Sequence, residues 1–229
     1  MARAVDEWKE MQMDIEQARF NMIEQQIRPW DVLDLEILDL LAIVKRELFV
    51  PTAYQALAFV DMEIPLPAGQ NMLAPRVEAR MLQELGVRKH ENVLEIGAGS
   101  GYMAALLAHR AQHVTTLDIV PELADMARQN LARHGATNVQ VIEADGAHGY
   151  AAGAPFDVIC VSGALPVVPR TMLDQLKIGG RLGAIVGAAP VMTAQLITRL
   201  SDTEFQTVNL FETMATPLIG ADDLPRFRF

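Results

Sequence analysis

The sequence predicts an α/β fold: a doubly wound, mostly parallel sheet of seven strands, with a helical addition in front of it. From residue 92 onward, short runs rich in Val, Ile and Leu alternate with stretches of helical periodicity. This alternation is typical of strands buried on both faces of a parallel sheet. In the first third of the chain, by contrast, apolar residues recur at helical spacing.

The helical addition is predicted from residues 19–27 and 37–48, with Asp34 as the cap of the second helix. Residues 64–75 contain three prolines and one glycine and are predicted to form a loop. A further amphipathic helix follows and is expected to end at Gly86.

The α/β part is predicted to begin at residue 92. Ser201, Asp202 and Thr203 form a connection short enough for a hairpin, so the last two strands are expected to be antiparallel. The predicted strands cover residues 92–96, 114–118, 139–142, 156–161, 181–186, 194–200 and 204–211, and the predicted helices cover residues 102–111, 121–134 and 169–176.

We expect one structural domain with three parts. Residues 1–75 form the helical addition and an acceptor loop, residues 76–190 form the cofactor-binding core, and residues 191–229 complete the sheet. The length of 229 residues and the hydrophobic share of 51% suit one generous domain.

Composition indicates the cellular compartment of the protein and the classes of partner that are disfavoured. Cys160 is the single cysteine, which excludes an internal disulfide and suits the reducing cytoplasm. Residues 1–14 lack the pattern of a secretory signal, and no apolar run reaches membrane-spanning length. A net charge of −10 disfavours nucleic acid and anionic membranes as partners. The five histidines are scattered along the sequence, so no metal site is expected. The oligomeric state is left open.

The segment Val93–Tyr102, VLEIGAGSGY, is the sharpest functional signal. A buried strand ends at Glu95 and Ile96, and Gly97, Gly99 and Gly101 turn the chain into a helix. Glycines permit unusual backbone angles and let a ligand approach the main chain. NAD and FAD folds use a similar turn, but they need a small residue at the position that Tyr102 occupies. The spacing therefore favours S-adenosylmethionine (SAM) over a dinucleotide.

Two further acidic residues follow strands of the same predicted sheet. Asp118 ends the second strand and can accept hydrogen bonds from both ribose hydroxyls. Asp145 and Gly146 follow the third strand and can meet the adenine ring, although a surface turn explains them nearly as well. Ligands of open α/β sheets bind beyond the carboxyl ends of the strands, where these residues lie. Met72 and Ile119 complete the predicted cofactor contacts.

From about residue 46 to residue 220 the chain resembles the protein-L-isoaspartate (D-aspartate) O-methyltransferases. The resemblance implies a seven-stranded, Rossmann-like SAM-dependent methyltransferase fold with rearranged final strands, and damaged protein bearing isoaspartyl residues as substrate. Its most particular pieces are Gly69-Gln70 and the block from Ala164 to Gly187; the others include Phe49-Val50-Pro51, the glycine segment, Asp145-Gly146, Pro155-Phe156-Asp157 and Pro217-Leu218.

The acceptor loop departs from the family pattern. After Gly-Gln the family carries Thr-Ile-Ser, whereas this chain has Asn71, Met72 and Leu73. The two hydroxyl residues, which the resemblance places between donor and substrate carboxylate, correspond to Asn71 and Leu73. Asn71 can still donate a hydrogen bond, but Leu73 cannot.

Three hypotheses follow from the sequence. The first is a carboxyl O-methyltransferase of the isoaspartyl-repair type that uses SAM. The second is a methyltransferase of the same descent with another acceptor, which Leu73 suggests. The third is a non-catalytic SAM-binding regulator whose N-terminal helices serve a partner.

Overall fold

The computed structural model of the chain describes residues 14–221. Predictions for residues 1–13 and 222–229 lie outside the described residues. The described part begins with helix α1 (residues 14–22), which continues into a π-helical turn, Ile23–Ile27, and a 3-10 turn, Arg28–Trp30. Helix α2, Leu35–Ile43, follows, and the Asp34 side chain accepts a hydrogen bond from the Glu36 N–H at 2.9 Å, so the predicted cap is confirmed.

The prediction of one continuous helix over residues 37–48 was wrong. Val44 adopts extended backbone angles, and only a short 3-10 turn, Arg46–Leu48, follows it. The extended turn brings both the Val44 and the Arg46 side chains into the interior, where each is 0% exposed. Helical periodicity alone cannot reveal such a break, because both segments keep their apolar residues.

Residues 64–75 form more than a loop. Strands β1, Ile64–Pro65, and β2, Asn71–Met72, pair antiparallel around a 3-10 turn, Pro67–Gly69. Helix α3, Pro75–Leu85, begins directly afterwards and ends as predicted at Gly86, which has a left-handed backbone with φ of 51°.

The main sheet has seven strands, as predicted, and their order is β5-β4-β3-β6-β7-β8-β9. The strands from β3 to β7 are parallel, while β8 is antiparallel to both β7 and β9. The predicted antiparallel final pair is confirmed. The bounds are β3 Asn92–Ile96, β4 His113–Asp118, β5 Val139–Glu143, β6 Phe156–Leu165, β7 Leu176–Ala188, β8 Val191–Arg199 and β9 Phe205–Thr213.

Helices α4, Tyr102–Arg110, and α5, Pro121–His134, match the predicted positions. The third predicted helix, over residues 169–176, is much shorter: α6 covers only Arg170–Leu173. The chain leaves the helix early because the Gln175 carbonyl accepts a hydrogen bond from the Phe156 N–H, and Leu176 then pairs with Phe156 in the sheet.

Packing on both faces of the sheet explains the apolar character of its central strands. On β3, Val93 joins the core formed with α1 to α5, and Leu94 joins the core on the opposite face with Met172 of α6. The same alternation recurs on β6, where Cys160 is 1% exposed and behaves as a small core residue. Within residues 14–221, the helices are too short or too polar to cross a bilayer.

Candidate cofactor and acceptor site

A cleft lies beyond the carboxyl ends of β3, β4, β5 and β6, where open α/β sheets bind their ligands. Seven of the predicted site residues line it: Asn71, Gly97, Gly99, Asp118, Ile119, Asp145 and Gly146. A smaller pocket directly behind it is lined by Met72, Leu73 and Glu95, and shares Asn71, Gly97 and Gly99 with the cleft.

The glycine turn is fastened to the neighbouring strand. The N–H groups of Gly97 and Ala98 both donate to the Leu117 carbonyl of β4 at 2.9 Å. Gly97 has φ of 91° and Gly99 has φ of 52°, which are backbone angles that side chains disfavour. A Cβ atom at Gly99 would lie 3.2 Å from Leu66 on the cleft wall. Glycine therefore keeps the floor of the cleft open.

Asp118 joins the end of β4 to the glycine turn. One carboxylate oxygen accepts from the Gly99 N–H at 2.9 Å, and the other accepts from the Val120 N–H at 3.0 Å. Burial raises the pKa of this carboxyl, and the two N–H groups oppose the rise. Each oxygen retains a lone pair, so Asp118 can still accept from ribose hydroxyls in the cleft.

Asp145 and Gly146 occupy the cleft wall after β5. The Asp145 carboxylate accepts from the Ala147 N–H at 2.8 Å, which fixes a local turn. A Cβ atom at Gly146 would lie 2.6 Å from Ile96, so only glycine lets the backbone lie this close to β3.

Gly101 lies outside both the cleft and the smaller pocket. A Cβ atom there would lie 3.2 Å from the Ala127 Cα atom and from Leu131, so Gly101 allows α4 and α5 to pack closely. The structure therefore gives Gly101 a packing role and does not bring it to the predicted cofactor contacts. Tyr102, which follows it, is 1% exposed.

Glu95 is fully buried beneath the glycine turn. Thr116 and Ser162 each donate a hydroxyl hydrogen bond to its carboxylate, at 2.7 and 2.8 Å. Burial nevertheless raises the pKa of Glu95 to about 8. Glu95 reaches the smaller pocket and is absent from the lining of the larger cleft.

A buried ion pair supports the acceptor loop from below, and it was not predicted. Arg46 pairs with Glu78 of α3, and its second guanidinium nitrogen donates to the Leu73 carbonyl at 2.7 Å. Desolvation outweighs the attraction of Arg46 and raises the pKa of Glu78 to about 7. One signal could have revealed Glu78: its spacing from Met81 and Leu82 places it on the buried face of α3.

The acceptor loop contacts a segment far away in sequence. The Asn71 amide donates to the Thr216 hydroxyl at 2.7 Å. Residues after β9 return to β6, where the Ala164 N–H donates to the Thr216 carbonyl at 3.0 Å. The Leu73 side chain is 5% exposed and lines the smaller pocket. Thr216 was missed because no local pattern connects it with residue 71.

Two features separate this site from a dinucleotide site. The dinucleotide-binding sheet is built from two halves of parallel βαβ units, whereas β8 runs antiparallel between β7 and β9 here. A dinucleotide site needs a small residue at the position of Tyr102 for close helix packing. Here the glycine that allows close packing is Gly101, one residue earlier.

The fold and the site define a SAM-dependent methyltransferase. A family model described as protein-L-isoaspartate(D-aspartate) O-methyltransferase matches residues 17–223. The chain belongs to this family.

Individual relatives agree with the family match. A protein-L-isoaspartate O-methyltransferase of Methanoculleus marisnigri is 40% identical over 203 residues, covering 88% of this chain and 91% of the relative. One of Rhodopseudomonas palustris is 41% identical over 202 residues, covering 88% and 93%.

A solved structure with a similar fold is also found. A structure described as a putative protein-L-isoaspartate O-methyltransferase of Plasmodium falciparum, in complex with S-adenosyl-L-homocysteine, superposes with a TM-score of 0.76. It is 18% identical and covers 87% of this chain and 97% of that chain.

Proposed function

We propose that the protein transfers the methyl group of SAM to the free carboxylate of isoaspartyl residues in damaged proteins and peptides. The main observation behind this proposal is that the cleft directly adjoins the acceptor loop. Asn71 lines both the cleft and the smaller pocket, so a donor in the cleft and a carboxylate at the loop would be neighbours. Family membership supports the choice of acceptor.

The described residues fit SAM. Asp118 would accept hydrogen bonds from the ribose hydroxyls, and Asp145 would accept one from the adenine amino group, with Gly146 leaving room for the ring. Ile119 and Met72 would supply apolar contacts. Glu95 would face the methionyl end of the ligand from the smaller pocket.

Methyl transfer makes modest chemical demands on the protein. SAM supplies an electrophilic methyl group on a sulfonium centre. The acceptor carboxylate, with a pKa of about 4, is ionised at neutral pH and needs no general base. The residues of the cleft and the acceptor loop therefore act by aligning the two groups and excluding water.

From the residues of the acceptor loop we expect slow turnover of isoaspartyl substrates. Leu73 presents a buried aliphatic side chain where the family has a hydroxyl, and one of the two Asn71 amide hydrogens is already donated to Thr216. The substrate carboxylate therefore finds fewer donors. For the same reason, a methyltransferase with another acceptor is the second candidate.

The test is a methylation assay with an isoaspartyl peptide and SAM labelled in its methyl group. Labelled methanol released by base identifies a carboxyl methyl ester, and the same peptide with normal aspartate is the control. We expect slow, isoaspartyl-dependent release. Methylation of lysate proteins combined with an inert isoaspartyl peptide would favour the second candidate.

The composition supports an intracellular setting for this activity. The single cysteine suits the cytoplasm, and the charge of −10 favours protein over nucleic acid as the partner. Methylation of an isoaspartyl protein by a cytoplasmic extract, lost when this chain is removed, would test the proposed location.

A further inference from the structure

Two histidines that are 25 residues apart in sequence converge on one surface of the protein. His109 lies in the last turn of α4, and His134 is the last residue of α5. Their Nε2 atoms are 3.2 Å apart, and their ring centroids are 5.5 Å apart. Both rings border an open surface cleft that also includes Lys89 and Asn138.

We propose that His109 and His134 form a two-histidine site for a divalent transition-metal ion of the zinc type. Imidazole nitrogen is a common ligand for zinc, nickel and copper. The ion would bind both Nε2 atoms, and water would complete its coordination. This site is separate from the methyl-transfer cleft, because α4 and α5 begin at that cleft and carry the histidines at their opposite ends.

The distances suit coordination by one ion. Two zinc–nitrogen bonds of about 2.0–2.1 Å that meet at angles from about 90° to 109° separate the nitrogens by about 2.8–3.4 Å. The observed Nε2 separation of 3.2 Å falls inside this interval. At this Nε2 separation the observed centroid distance of 5.5 Å is close to its maximum, so the two nitrogens face each other across a hydrogen bond, which the ion would replace. Rotation of each ring by about 40° would turn both lone pairs onto a zinc ion at ordinary bond length.

The surroundings leave room for a cation, because both rings border a cleft that is open to solvent. Both histidines lie at helix C-termini, where the helix dipoles attract positive charge. Lys89 opposes the ion, but its ammonium group is bonded to the His109 carbonyl.

The described residues supply two ligands and no more. Over residues 14–221 no third histidine, cysteine or carboxylate joins the pair, so we expect weaker binding than at a four-ligand structural zinc site. An ion bound here would link the ends of α4 and α5. Because it would bind the folded state preferentially, it would raise the unfolding temperature.

The experiment is a calorimetric titration of zinc chloride into the full-length protein after treatment with a chelator, paired with thermal unfolding. We expect one zinc ion per chain and a higher unfolding temperature. His109→Ala and His134→Gln should each weaken binding at least about tenfold, the scale seen for lost metal-supporting groups. His90→Ala, which removes an exposed histidine outside the pair, should retain wild-type binding.

Nitrogen NMR of the histidine rings supplies a second readout. Zinc should shift the Nε2 signals of His109 and His134, while those of His90 stay in place. Absence of saturable zinc binding by the wild type would overturn the proposal. Equal binding by the wild type and both pair variants would also overturn it. Circular dichroism confirms the fold of each variant, and the two single variants provide independent tests.

Discussion

The Asp118 carboxylate accepts a hydrogen bond from the Gly99 N–H at 2.9 Å. This contact joins the end of the second parallel strand to the turn after the first one. The residue proposed to bind the ribose therefore also holds the glycine turn in place. Substitution of Asp118 is expected to affect both roles.

Asp118→Ala should weaken binding of S-adenosylhomocysteine by about 1.5–3 kcal/mol, through loss of charge-assisted hydrogen bonds. Asp118→Asn should lose less, because its remaining oxygen can still accept one of the two backbone N–H groups. Isothermal titration calorimetry measures both. Asp125→Ala on the exposed side of α5 is the matched control. Wild-type affinity in Asp118→Ala would place the ribose elsewhere.

Three glycine-to-alanine variants distinguish a glycine that leaves space for the ligand from a glycine that allows two helices to pack closely. Gly99→Ala should weaken S-adenosylhomocysteine binding at least tenfold, about 1.4 kcal/mol, since its Cβ enters the cleft. Gly101→Ala should lower the free energy of unfolding by more than the backbone strain alone, because its Cβ meets the Ala127 backbone. Gly135→Ala is the control: it has φ of 81° with no atom within 4 Å of the added Cβ, so only strain of about 1–2 kcal/mol is expected.

Calorimetry and urea unfolding of these three variants give the comparison. If Gly101→Ala unfolds like Gly135→Ala but loses the ligand, Gly101 contacts the cofactor after all.

Glu95→Gln should remove the loss of folding stability that the wild type shows as pH rises. Burial raises the pKa of Glu95 from 4.5 to about 8. Between these values the folded protein keeps a proton that the unfolded chain releases, so the wild-type stability falls as pH rises, by about 1.4 kcal/mol per unit from this group. Glutamine keeps the hydrogen bonds to Thr116 and Ser162 without the titration. Urea unfolding from pH 5 to pH 8 should therefore show a growing advantage of the variant.

Glu122→Gln on the surface of α5 controls for the change in net charge. A stability difference between Glu95→Gln and the wild type that is constant across the same pH range would show that Glu95 does not titrate there.

Leu73→Ser together with Asn71→Thr should raise kcat/KM on an isoaspartyl peptide. One recovered hydrogen bond to a charged group contributes about 1.5–3 kcal/mol, roughly tenfold or more in rate. Because Leu73 is buried, its replacement will lower the free energy of unfolding, by about 2–5 kcal/mol if the site behaves like other buried leucines. Peptide methylation and thermal unfolding are measured together.

Leu73→Ala with Asn71→Thr is the matched control, because it creates a similar cavity without the serine hydroxyl. Equal gains in both double variants would assign the effect to space rather than to a donor. A loss of activity in both would show that Leu73 belongs to a functioning acceptor site.

The sequence by itself determined the fold class, the seven strands, the position of the glycine turn and the polar residues at the carboxyl ends of β3, β4 and β5. These features depend on local physics: apolar periodicity, the backbone freedom of glycine, and the rule that ligands bind at the carboxyl ends of parallel strands. The length of α6 and the break after Ile43 were beyond this reasoning, because sheet pairing and side-chain burial overrode helical periodicity.

Only the tertiary structure decided which distant residues meet. It joined Asn71 to Thr216, placed the Arg46–Glu78 pair under Leu73, packed Gly101 against Ala127 and Leu131 of α5, and brought His109 to His134. The physical reason is common to all four. These contacts depend on how whole helices and strands pack against each other, and the spacing of residues along the chain carries no record of that packing.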